Sequence, residues 1–296
     1  MDLEHVLVVG AGQMGAGIAQ VVAASGRRVS LHDPLPGAID RGLGAMRKSL
    51  ERLDADVEGT LARVEPVDDL VPAELMIEAI SEDAAAKEEL FRRADEQLPP
   101  EAILASNTSS IPITSLAGAT SRPDRVIGMH FFNPVPVLKL VEVIRGLETS
   151  DRTARAIVAL AEDLGKTPAE VRDSPGFVSN RILMPFINEA AYALHEGVAQ
   201  PEAIDTIAKL GFAHPIGPLA LAEQEGRGHA VARDAQLDDL PRAGEGGVEP
   251  DGESARSQVD VERSLHDARV RGEQRAGSRI VVRVQRLAPR AYDLRR

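Results

Sequence analysis

Short apolar runs alternate with longer amphipathic stretches from the start of the chain, and the two periods predict a succession of strands and helices. Val6–Val9 is apolar at every position and stops at Gly10, as suits a parallel strand buried on both faces. Ile18 to Ala24 continues as helix, Gly26 closes it, and Val29–His32 reads as the second strand. Between Pro36 and Leu53 the residues Leu43, Met46, Leu50 and Leu53 fall three or four apart, which predicts a helix. Leu75–Ile80 and Ile103–Ala105 are further strands, with a helix around Ala84–Gln97 between them; Arg125–Phe132 and Leu138–Ile144 extend the series. Such alternation implies an α/β fold with a mostly parallel sheet and helices on both faces.

The pattern then changes. Thr153–Leu164 is an amphipathic helix ended by Gly165, Pro175-Gly176 opens a helical run to about His195, and Pro201–Leu210 is another helix. These predict an α/β domain over 1–174 and the start of an all-helical domain over 175–222. From Glu223 to Arg296 there are 14 acidic and 14 basic residues, every basic one is Arg, and Tyr292 is the single aromatic. The Gly-rich stretch Ala243–Val248 and the charges after it suit a poorly ordered segment, and Ile280–Val284 has strand character without an evident pairing partner. The region 223–296 is therefore expected to be atypical, either a translated wrong reading frame or a disordered extension.

Composition narrows the chemistry. A net charge of -12 argues against general nucleic-acid binding, so an anionic ligand must be met by locally placed cations and backbone N–H groups. Without cysteine there is no disulfide framework and no thiol catalysis, and the cytoplasm is the default compartment. The opening Met1-Asp2-Leu3-Glu4-His5 carries acid where a signal peptide needs base, and no run approaches the ~20 apolar residues of a membrane span. No metal site is expected. With no Trp, two Tyr and six Phe, the core must be built from Val, Ile, Leu and Ala.

Gly10-Ala11-Gly12-Gln13-Met14-Gly15 fits G-x-G-x-x-G, follows a strand and opens a helix. In that place Gly10 permits a tight turn, Gly12 lets a pyrophosphate approach, and Gly15 lets helix and strand pack closely. The helix N-terminus offers N–H groups and partial positive charge to the same pyrophosphate. Asp33 ends the second strand, where a carboxylate accepts both ribose hydroxyls and repels a 2′-phosphate, so NAD is expected over NADP. Arg27 and Arg28 are the nearby cations that would oppose that preference. The fold class is thus a Rossmann-type doubly wound sheet followed by a helical C-terminal domain, which the family resemblance given below implies is incomplete.

Polar residues cluster after later strands. Ser106-Asn107-Thr108-Ser109-Ser110 follows Ile103–Ala105, at the end of a parallel strand where doubly wound sheets bind ligands; a helix N-cap would use the same residue types. His130-Phe131-Phe132-Asn133-Pro134 ends the next strand, and Glu142 on the strand after it is placed to hydrogen-bond the imidazole. Asp173-Ser174-Pro175-Gly176-Phe177-Val178-Ser179-Asn180-Arg181 is a helix start with Asn180 in its first turns, where a polar residue also suits the terminus alone.

Gly10–Gly15 with Gly17-Ile18-Ala19-Gln20, Glu78-Ala79-Ile80-Ser81-Glu82, Asn107-Thr108-Ser109-Ser110, His130–Pro136 and Pro175–Arg181, in this order, resemble the 3-hydroxyacyl-CoA dehydrogenase family, including its stand-alone bacterial 3-hydroxybutyryl-CoA dehydrogenases. The resemblance covers about Val6 to Leu221 and implies an NAD-dependent dehydrogenase of L-3-hydroxyacyl-CoA, forming a homodimer. It implies that His130 is the acid/base and Glu142 the carboxylate that orients it. Ser109 and Asn180 would hold the reacting oxygen and the thioester. Glu82, Lys87, Asn107, Ser109 and Asn133 would line the nicotinamide end of the cofactor, and Ser49 would contact coenzyme A.

Oxidising a secondary alcohol removes a hydride from carbon and a proton from oxygen, so a base near neutrality is needed, and the ordinary imidazole pKa of ~6.5 suits. The chain departs from the family in two places. Asp56 falls where a coenzyme A-binding Lys is expected, and nothing after Leu221 resembles the helices that complete the second domain. Without them Ile182, Leu183, Phe186 and Ile187 are expected to be exposed. Two rivals follow: a sister oxidoreductase on a hydroxy or sugar acid, and a truncated relative that binds nucleotide with little turnover.

Overall fold

A computed structural model describes residues 3–223, in two units that meet between Arg181 and Ile182. The tail expectations for 224–296, including the strand at Ile280–Val284, lie outside the described residues. In the first unit β1 (His5–Val9), α1 (Gln13–Ala24), β2 (Arg28–His32), α2 (Ala38–Arg52), α3 (Val57–Leu61), β3 (Val64–Val67), β4 (Leu75–Glu78) and α4 (Ala84–Gln97) come first. They are followed by β5 (Ile103–Ser106), α5 (Ile113–Gly118), β6 (Val126–Phe131), β7 (Leu140–Arg145), α6 (Asp151–Asp163) and β8 (Thr167–Arg172). The described strands form one sheet in the order β3-β2-β1-β4-β5-β6-β7-β8. It is mostly parallel: β6 and β7 are the antiparallel pair. The chain leaves β1 first toward β2 and β3 and then crosses back to β4, so the switch point lies at the carboxyl end of β1, where such sheets bind ligands.

The alternation within each strand explains its continuous apolarity. Val6 and Val8 of β1 face a core shared with Ile18 and Val22 of α1, Met46 of α2 and Ile157 and Leu160 of α6. Leu7 and Val9 face the opposite core, with Leu90 and Phe91 of α4 and Ile113 and Leu116 of α5. Burial of each such side chain contributes about 1.5–3 kcal/mol, and both faces of the central strands benefit.

Several expectations are corrected. β6 and β7 do not continue the parallel β/α series: the segment between Phe131 and Leu140 is too short for the dozen residues a parallel crossover needs, so the strand returns antiparallel. α3, β3, α5 and β8 lie in segments with no expected element. The run opened by Pro175-Gly176 is a turn, with positive φ at Gly176 and Phe177 and Phe177 buried, and α7 (Ser179–His195) starts after it.

In the second unit, α8 spans Pro201–Thr206 and gives way to a π-helical turn over Ile207–Gly211, so the helix expected to Leu210 changes its hydrogen bonding midway. Asp205 accepts from the N–H groups of Leu219 (2.9 Å) and Ala220 (3.1 Å), capping the next helical turn. Of the side chains expected to be exposed, Ile182 is, but Ile187 is buried and Phe186 packs its ring 5.3 Å from that of His214. No helix among the described residues is long and apolar enough to cross a membrane.

Candidate functional site

At the carboxyl ends of β1 and β2 the glycine loop borders a cleft of about 520 Å³. Ala11, Gly12, Gln13, Asp33, Ser49 and Asn133 line it, together with Arg41 of α2. Gly12 is the N-cap of α1, which has no side-chain cap and no acid in its first turn, so its leading N–H groups remain available to an anion. A Cβ at Gly12 would meet nothing within 4 Å, whereas one at Gly15 would sit 1.8 Å from the Gly10 carbonyl oxygen. The first glycine position therefore leaves room for a ligand and the second joins helix to strand. Asp33 accepts from the N–H groups of Ala11 (2.8 Å) and Leu35 (2.9 Å), which fixes its carboxylate at the cleft wall. Arg27 donates to Leu3 O and Asp163, and Arg28 opens β2 at the far end of the strand from Asp33, so neither adjoins that carboxylate. These features fit a dinucleotide with free ribose hydroxyls.

His130, Glu142, Ser109 and Asn180 lie outside the lining of that cleft and form two hydrogen-bonded pairs, His130 with Glu142 and Asn180 with Ser109. His130 and Glu142 face each other in the β6–β7 register, and Nδ1 of the imidazole lies 2.9 Å from Glu142 Oε2. An ionised carboxylate only accepts, so Nδ1 carries the hydrogen and Nε2 is the remaining ring nitrogen. Glu142 also accepts from the Ser179 N–H (3.0 Å) and hydroxyl (2.7 Å) and from the Val178 N–H (3.2 Å). The next residue, Asn180, donates through Nδ2 to the Ser109 carbonyl at 2.9 Å. Ser109 in turn donates its N–H to Glu82 Oε1 (2.9 Å), which also receives the Thr108 hydroxyl (2.5 Å) and the Ser110 N–H (3.1 Å). Asn107 Oδ1 accepts the Phe131 N–H at 2.9 Å, tying the end of β5 to β6. Gln13 Nε2 donates to Asn133 Oδ1 at 3.1 Å, tying the glycine loop to the segment after His130.

Lys87 is 1 % exposed and directs its ammonium at Glu78 Oε1 (2.5 Å) and Glu82 Oε2 (3.3 Å). Its charge is thus engaged within the protein. Glu78, fully buried, also accepts from the Ser106 hydroxyl (2.6 Å) and the Ile80 N–H (2.7 Å). Burial pushes the Glu82 carboxyl up, but the Lys87 charge and the hydrogen bonds from Thr108 and Ser109 outweigh it and leave Glu82 below the usual carboxylate range. Asp56 caps α3 by accepting the Gly59 N–H at 2.9 Å. Sequence reasoning did not single out Ser106 or Ser179; Ser179 sits in the same block as Asn180 and was the available signal.

Glu142 is held at about 2: burial pushes it up, but the His130 hydrogen bond, the Ser179 hydroxyl and N–H, and the His130 charge bring it down. A depressed folded-state value means that the unfolded chain takes up a proton first as pH falls. Its contribution is therefore complete above the ordinary value of 4.5 and is lost as pH falls through about 2. Glu142→Gln should flatten the loss of stability over that window in urea titrations. An equally steep loss in the variant would place its origin elsewhere.

Comparison with known proteins gives a consistent result. The sequence profile described as 3-hydroxyacyl-CoA dehydrogenase, NAD binding domain, matches residues 5–174, and that described as 3-hydroxyacyl-CoA dehydrogenase, C-terminal domain, matches 176–236. The second match runs past Leu221, beyond the end expected from the sequence motifs. A protein named "Probable 3-hydroxybutyryl-CoA dehydrogenase" from Bacillus subtilis (strain 168) is 53% identical over 233 residues, 75% of this chain and 81% of its own length. The 3-hydroxybutyryl-CoA dehydrogenase of Clostridioides difficile is 45% identical over 226 residues, 73% of this chain and 80% of its own. The crystal structure of (S)-3-hydroxybutyryl-CoA dehydrogenase from Ralstonia eutropha superposes with a TM-score of 0.73 at 48% identity, covering 76% of this chain and 83% of that one.

Proposed function

The chain belongs to the 3-hydroxyacyl-CoA dehydrogenase family, and from that premise we propose that it interconverts L-3-hydroxyacyl-CoA and 3-oxoacyl-CoA with NAD, acting on short acyl chains such as 3-hydroxybutyryl-CoA. The observation that carries this reading is the His130–Glu142 pair joined through Ser179 and Asn180 to Ser109. When bound, the nicotinamide takes up the hydride in oxidation and returns it in reduction. Gly12 and the leading N–H groups of α1 would hold the pyrophosphate, and Asp33 the ribose hydroxyls. Glu82, Lys87, Asn107 and Asn133 belong to the nicotinamide end in this reading, Lys87 by fixing Glu82.

His130 takes the hydroxyl proton at Nε2 during oxidation and gives it back to the forming alkoxide during reduction. Glu142 fixes the tautomer and stabilises the imidazolium once it forms. Ser109 and Asn180 position the reacting oxygen and the thioester, and Ser49 on the cleft wall contacts the coenzyme A portion. By the family resemblance the protein acts in the cytoplasm as a homodimer.

One observation favours a rival reading: Asp56 stands where the resemblance implies a coenzyme A-binding Lys, and it is occupied as a helix cap. That reading is a sister oxidoreductase on free hydroxy or sugar acids. The full chain with NADH should consume the cofactor when given acetoacetyl-CoA and not when given free acetoacetate or a keto sugar acid. Equal rates with the free acids would favour the rival.

A further inference from the structure

The loop from Phe132 to Lys139, between β6 and β7, is shared by the cofactor cleft and the histidine. Asn133, Pro134, Val135 and Pro136 line the cleft. Val135 packs on α1 so closely that a Cβ at Gly17 would lie 2.9 Å from its Cβ. At its start, the ring of Phe132 lies 4.6 Å from that of His130. Beneath the loop lies Lys166, only 8% exposed, whose ammonium donates to the Val135 carbonyl and, at 2.9 Å, to the Leu138 carbonyl. No carboxylate of the described residues pairs with it.

A buried ammonium without a counter-ion is unfavourable unless its hydrogen bonds are made, and here both described acceptors are backbone oxygens of this loop. Burial accordingly lowers its proton affinity, with the Lys139 charge adding to the effect. An apolar side chain would fill the same volume without that penalty. What the ammonium adds is a fixed distance between two carbonyls three residues apart, and hence a fixed loop path.

We propose that Lys166 is a positioning residue for the reaction, setting the loop that walls the cofactor cleft and abuts His130. The inference rests on the NAD reading of that cleft. Its deciding readout, NADH binding, needs no thioester, so a failure there is distinguishable from a failure of the substrate reading. In the full chain, Lys166→Met should weaken NADH binding by about tenfold in a fluorescence titration run well below the melting temperature, equivalent to the loss of ~1.4 kcal/mol. It should also lower kcat at saturating NADH more than it changes the thioester KM. Lys166→Gln, which keeps an N–H donor group but loses the charge and one methylene of reach, should fall between Lys166→Met and the original chain.

A lysine with a merely structural role would lower the melting temperature and leave the affinity of the folded variant within about twofold, and that result overturns the proposal. Where Lys166→Met does not fold, Lys166→Gln decides by the same criterion. Failure of both variants to fold would assign the lysine to folding and equally overturn it.

Discussion

Replacing His130 by alanine is expected to lower kcat by about 10²–10⁴-fold, the usual contribution of a positioned general base, while NADH affinity changes little. The separation follows from where the residues lie. His130 is the penultimate residue of β6 and gives its Nδ1 hydrogen to Glu142, whereas the cleft is lined by the glycine loop, Asp33, α2 and the residues from Asn133 to Pro136. Removing the imidazole leaves Glu142 its bonds to Val178 and Ser179, so the fold should persist with reduced stability. Steady-state kinetics beside an NADH titration reads both quantities. Full activity in the variant would remove the proposed mechanism, and an equal loss of affinity would move His130 from proton transfer to binding.

The second large effect is expected at the glycine loop, where two residues of one motif should fail in different ways. At Gly12 a side chain has room, since an added Cβ meets nothing within 4 Å. Gly12→Val should therefore fold with a nearly unchanged melting temperature while losing NADH affinity by about 100-fold or more, because the side chain takes the place of the pyrophosphate. At Gly15 the added Cβ would lie 1.8 Å from a backbone oxygen that cannot rotate away, so Gly15→Val should fail to fold stably. Calorimetry and NADH titration of the pair distinguish the two. Normal NADH affinity in Gly12→Val would show that the open space above that residue is not where the dinucleotide lies.

The contrast shows what the sequence could and could not say. β1, β2, β4 and β5 were legible because strands covered on both faces carry uninterrupted apolar runs, and the glycine loop was legible because its spacing has one geometric use. β3 and β8 were not. They are the two edges of the sheet, they contain Pro66 and Pro168 with Glu65, Glu170 and Arg172, and one strand side is free, so no apolar run was required. The reversal of β7 was hidden in the pattern but present in the short distance from Phe131 to Leu140.

The site was legible in a different way. The roles proposed for His130, Glu142, Ser109 and Asn180 rest on resemblance, while the contacts observed depend on long-range pairing: a strand register for His130 and Glu142, and a turn that brings Asn180 to Ser109. Ser179 escaped notice because a serine at a helix start is ordinarily a cap, and only the fold sets it against Glu142. Lys87 was recognisable by position, but its burial against Glu78 follows from the packing of α4 on the sheet.

Whether this chain is a working thioester dehydrogenase is decided by measuring NADH binding and NADH consumption on one preparation of the full 296-residue chain with acetoacetyl-CoA. A working enzyme should show saturable NADH binding together with cofactor oxidation that depends on the thioester. Saturable binding with no thioester-dependent oxidation would contradict the dehydrogenase reading and leave a nucleotide-binding protein without the family's turnover.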